Sequence, residues 1–106
     1  MNTEQAEMIR DIALHIKSVP LCCTGTAVRI NKEPICFFGE GYYQDIISKE
    51  DRALYAYSMD EAADVLGVTI ESIEALVYGD KSDLTGQEYY DRAKVFLDTN
   101  GYGDML

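Results

Sequence analysis

No apolar run in these 106 residues approaches the roughly 18–20 needed to cross a bilayer, which excludes a membrane-spanning helix. The opening Met1-Asn2-Thr3-Glu4-Gln5 lacks the basic-then-apolar pattern of a secretory leader, so the expected location is the compartment of synthesis, the cytoplasm. Basic side chains are scarce: nine Lys and Arg stand against 19 Asp and Glu, for a net charge of −10. Such a field repels nucleic acid and anionic membrane and attracts basic surfaces. Cysteine is nearly as scarce. Cys22, Cys23 and Cys36 are an odd number with two adjacent, a poor disulfide framework, and with His15 they match no standard zinc spacing. They lie among Val19, Leu21, Ile35, Phe37 and Phe38, where reduced thiols serve as small hydrophobes. Low-complexity linkers and internal repeats are also missing.

The signatures of common enzymes are absent as well. Gly39-Glu40-Gly41 lacks the lysine and the helix start of a phosphate loop, and no Cys or Ser sits in a nucleophile signature with a matching His. Asp60/Asp64 and Glu71/Glu74 are helical neighbours at spacings that face solvent, with no apolar pocket implied to raise a carboxylate pKa. His15 falls at the edge of an amphipathic stretch without a partner motif. No catalytic set, cofactor or metal is expected.

What is present is enough for one core. With 47% hydrophobic and 26% charged residues, the composition is globular. A chain of this length is one domain that buries about two thirds of its surface. The acidity is concentrated. Between residues 60 and 91, Asp60, Glu61, Asp64, Glu71, Glu74, Asp80, Asp83, Glu88 and Asp91 face Lys81 alone, a net −8.

Residues 3–17 predict a helix, with Ile9, Ile12, Ala13 and Ile16 on one face and Pro20 as the stop. A β-hairpin is expected next. Thr26, Val28 and Ile30 alternate with Ala27 and Arg29, Asn31-Lys32-Glu33-Pro34 supplies the turn, Ile35-Cys36-Phe37-Phe38 is the return strand, and Gly39 and Gly41 end it. Residues 52–57 are open between a helical turn and a third strand. Ser58-Met59-Asp60-Glu61 and Thr85-Gly86-Gln87-Glu88 read as capping boxes, and Thr69 as the cap of a helix reaching Tyr78. The closing helix carries Tyr89, Ala93, Phe96 and Leu97 and stops at Asn100-Gly101. The expected architecture is therefore α+β in a single domain: an N-terminal helix and a small antiparallel β-sheet over 1–57, then a helical part over 58–101. Its core is Ile9, Ile12, Ile16, Val28, Ile30, Phe37, Leu54, Ala63, Leu66, Val68, Ile73, Leu76, Ala93, Phe96 and Leu97.

Within residues 57–79, Tyr57-Ser58-Met59-Asp60-Glu61-Ala62-Ala63-Asp64-Val65-Leu66-Gly67-Val68-Thr69 is followed by Ile73, Leu76 and Gly79. Ala63 is small where two helices would cross, and Gly67 can take the positive φ of a tight turn. This stretch resembles the helix-turn-helix of phage repressors, and more closely that of excisionase and MerR-type regulators. The resemblance implies a second helix lying in the DNA major groove and reading bases with polar and basic side chains. Here the corresponding positions are Ile70, Glu71, Glu74, Ala75 and Tyr78, neither helix contains Arg or Lys, and the segment in place of a basic wing is Asp80-Lys81-Ser82-Asp83. Such a face neutralises no phosphates.

Two meanings for the acidity stay open: a solvated surface that maintains solubility, or a face shaped to meet a basic one. In the second case the chain resembles, in charge, size and altered helix-turn-helix, the DNA-mimic inhibitors of phages and mobile elements, such as anti-restriction and anti-CRISPR proteins. The expected partner-binding residues are then Asp60, Glu61, Asp64, Glu71, Glu74, Tyr78, Asp80 and Asp83. The expected partner is a basic, nucleic-acid-binding protein, met by an inhibitor or adaptor that does not itself bind DNA. The alternative is a helix-turn-helix regulator reading DNA as a homodimer, with Arg29, Lys32, Arg52, Arg92 or Lys94 on phosphates.

Overall fold

The computed structural model describes residues 1–20, 22–23, 36–51, 55, 59–78 and 83–106. Helix α1 spans Thr3–Ile16 and begins as its sequence dictates. The Asn2 side chain accepts from the Gln5 amide and the Gln5 side chain accepts from the Asn2 amide, a reciprocal cap that satisfies two otherwise orphaned donors. Ala6, Ile9, Ile12, Ala13 and Ile16 are all fully buried along one face. The partner of that face is α5, Gly86–Thr99, which opens on the expected capping box of Thr85 with Glu88 and buries Tyr89, Ala93, Phe96 and Leu97. These two fourteen-residue helices are the frame of the molecule.

The expected return strand of the hairpin is a helix instead. Residues Phe37–Tyr43 form α2, with Cys36 as its N-cap and the Cys36 Sγ accepting from the Gly39 amide at 3.2 Å. A short apolar run suits a buried strand or a buried helix equally, and periodicity cannot separate them. What decides here is the fit against α1. A Cβ on Gly41 would come within 2.6 Å of Ile12 Cδ1 and 2.9 Å of Ile47 Cδ1, so the glycine that looked like a strand terminator is the point where α2 lies against its neighbours. Phe37 and Phe38 meet edge-on at 5.4 Å, Phe37 lies 5.9 Å from Tyr89, and Phe38 stacks on Tyr55 at 5.7 Å. Burial, and then the Asp51 carboxylate, push the Tyr55 phenol above its ordinary pKa, while a hydrogen bond with Gln5 acts in the opposite direction.

The α+β expectation is thereby overturned: five α-helices make up the architecture of the described residues, and no β-sheet supports it. Their extended pairing amounts to two residues on each side, Cys22–Cys23 (β1) antiparallel to Asp83–Leu84 (β2), with Cys22 opposite Leu84. The expected first strand with Val28 and Ile30, and the ambiguous stretch with Leu54, lie outside the described residues.

Helix α3, Met59–Leu66, and helix α4, Ile70–Val77, pack on each other, and α4 packs on α5. Ala63, Leu66, Ile73 and Leu76 are buried as expected, whereas Val68 is half-buried at the turn. Among the described residues no helix is long and apolar enough to cross a membrane.

Candidate functional site

Helix α3 buries Ala62, Ala63 and Leu66, which leaves Asp60, Glu61 and Asp64 on the exposed side. Its end is closed by Gly67, at φ 66°. The Val68 amide donates back to the Ala63 carbonyl at 3.0 Å and the Gly67 amide to the Asp64 carbonyl at 3.2 Å, the paired bonds of a left-handed helix cap. A third carbonyl, that of Val65, accepts from Gln5 Nε2 at 2.9 Å and ties the end of α3 to α1. Two residues after Gly67, the Thr69 hydroxyl accepts from the Ser72 amide at 3.1 Å and starts α4 in a new direction.

On α4 the buried side belongs to Ile73, Leu76 and Val77. Glu71, Glu74 and Tyr78 are exposed, the last at 46%, together with Ile70 and Ala75. Six of the eight expected partner-binding residues are therefore exposed: Asp60, Glu61 and Asp64 on α3, Glu71 and Glu74 on α4, and Tyr78 at its C-cap. Asp80 lies outside the described residues. Asp83 enters through its backbone alone, in β2, and its side chain lies outside them. The Ser58 cap expected for α3 also lies outside.

One cation of α5 reaches the end of α4. The Arg92 guanidinium, projecting from α5, donates through Nη1 to the carbonyl of Ala75 at 2.8 Å and to that of Tyr78. These are last-turn and cap carbonyls of α4, where a cation also meets the negative end of the helix dipole. Arg92 is thus engaged with backbone. Lys94 is exposed on α5, and Arg29, Lys32 and Arg52 lie outside the described residues. The ion pair of Arg10 with Asp11, at 3.0 Å, is local to α1.

A feature that sequence reasoning missed adjoins this face. Helices α4 and α5 enclose a groove of about 520 Å³, lined largely by apolar atoms. Ala75, Val95 and Phe96 line it with apolar side chains, Thr69, Ser72 and Thr99 add hydroxyls, and Glu71 and Asp91 bring a carboxylate from each helix. One signal was legible. Val95 is an aliphatic residue off the buried stripe of α5, and it is 64% exposed. Elsewhere, Cys22 and Cys36 are buried as thiols. His15 is exposed on α1. Among the described residues no three His, Cys, Asp or Glu side chains converge as a metal site.

The chain matches no protein-family model, no curated protein and no solved structure.

Proposed function

We propose that this chain is a small acidic binding protein, an inhibitor or adaptor working in the cytoplasm, that docks its α3–α4 face on a basic, nucleic-acid-binding protein. The supporting observation is the exposure of Asp60, Asp64, Glu71 and Glu74, with Tyr78 among them, on two helices that contain no Arg or Lys, while Arg92 is held by the backbone of α4. On this reading a helix pair of the phage-repressor and excisionase type keeps its Gly67 turn and has exchanged phosphate-binding side chains for phosphate-like ones. Carboxylates carried on rigid helices present negative charge at fixed spacing, and that is the surface a DNA-binding protein is built to meet.

The experiment has two arms. The purified protein is expected to leave random duplex DNA unshifted at about 50 mM salt; tight binding that weakens steeply as salt rises would assign a DNA-reading regulator instead. In the second arm, Glu71→Gln with Glu74→Gln removes charge while retaining size and helix propensity. Against a partner captured from host lysate, the double variant is expected to associate more slowly and with a flatter salt dependence. Equal association rates for the variant and the parent would reduce the acidic stripe to a solvated surface.

A further inference from the structure

The groove between α4 and α5 has a chemistry of its own. Phe96 is almost wholly buried, at 4% exposure, whereas Val95 is left 64% exposed beside it. Exposed Ala75 continues the apolar strip on α4. Glu71 stands on the α4 side and Asp91 on the α5 side, so the strip is flanked by a carboxylate on each helix. Arg92 also lines the groove and keeps its charge while it donates to the carbonyls of Ala75 and Tyr78, so the two carboxylates leave the lining net negative by one.

We infer that this groove takes an amphipathic helical segment of the partner, inserting aliphatic side chains over Val95 and Phe96 and placing lysines or arginines against Glu71 and Asp91. Charge complementarity selects this occupant. An apolar stripe bordered by cations is the counterpart of an apolar strip bordered by carboxylates, and helix-in-groove docking reads such stripes at i, i+3, i+4 and i+7. A second copy of this chain is disfavoured, because it brings a net charge of −10 to a rim that is already acidic. The inference rests on the docking reading above and adds to it the apolar contact that supplies affinity, where the exposed carboxylates supply steering.

The probes are three synthetic peptides of about 18 residues, long enough to hold helix on binding. One has leucines at helical spacing with lysines elsewhere, one has glutamates in place of the lysines, and one scrambles the first. Binding is followed by amide chemical shifts and titration calorimetry. The lysine peptide is expected to bind and to shift α4 and α5 amides lining the groove, and the other two to bind at least about tenfold more weakly. Val95→Gln, at an exposed position and without change of charge, is expected to weaken the lysine peptide by about tenfold, and Val95→Leu to retain it. Asp91→Asn is expected to cost a few-fold and to flatten the salt dependence.

Equal binding of the scrambled or glutamate peptide overturns the proposal, as does a Val95→Gln protein that binds like the parent. Self-association of the free protein that Val95→Gln abolishes overturns it too, by assigning the groove to a second copy. Asp60→Asn with Asp64→Asn and Glu74→Gln separates the two readings. If these changes abolish peptide binding and Val95→Gln does not, the acidic face docks without the groove; if Val95→Gln abolishes binding and they do not, the groove stands without that face.

Discussion

Gly67 and Asp45 share an uncommon backbone conformation, at φ 66° and 59°, Gly67 directly after the last residue of α3 and Asp45 directly after the C-cap Gln44 of α2. At Asp45 the same pair of bonds closes α2: the Ile46 amide donates to the Gly41 carbonyl at 2.8 Å and the Asp45 amide to the Tyr42 carbonyl at 3.1 Å. The left-handed region suits glycine and strains a residue with a Cβ, aspartate less than most. The two sites therefore respond in opposite directions. Gly67→Val is expected to destabilise by about 1–3 kcal/mol, since it adds a branched side chain at positive φ. Asp45→Gly is expected to stabilise by about 0.5 kcal/mol. Urea titrations of both variants check the signs, and a Gly67→Val protein as stable as the parent would mean that the α3–α4 turn is formed differently. Gly67 was legible in the sequence because it follows an apolar helix and precedes a capping threonine. Gly41 was misread because its role, clearance for Ile12 and Ile47, depends on residues it meets only after folding.

Among the elements, those with their own start signals and one apolar face were legible. Helix α1 and helix α5 have reciprocal caps and a stripe at helical spacing, and both occur within a residue or two of where the sequence places them. Helix α2 is buried through Phe37, Phe38, Gly39, Glu40 and Gly41, so it has no polar face to reveal its period. The exposed stripe of α4 was legible by elimination, since Ile73 and Leu76 claim the other side. The groove was not, because a concavity belongs to two helices and neither sequence segment contains it. The junction of α4 with α5 gives a prediction at this scale. Arg92→Met keeps the aliphatic stem but removes the donors to Ala75 and Tyr78, and is expected to cost about 1 kcal/mol through two bonds at an exposed helix end. Amide exchange should then quicken at the end of α4 while α1 is unaffected. Uniform protection across α4 in the variant would show that packing alone holds that end.

For the whole molecule, 19 acidic residues against nine basic ones leave a net charge of −10 to act on itself. Self-repulsion opposes compaction, and added electrolyte relieves it. The melting temperature is therefore expected to climb as sodium chloride rises from about 20 to about 500 mM, the reverse of a fold held by surface ion pairs. Scanning calorimetry across that series decides it; a level or falling trend would mean the carboxylates stand too far apart to interact. The consequence reaches beyond the isolated chain. Mobile counterions and a cationic partner relieve the same repulsion, so they compete for one role. In dilute electrolyte the proposed partner would double as a folding aid, relieving the repulsion that opposes compaction. In concentrated electrolyte the protein is already relaxed and has the least to gain from company.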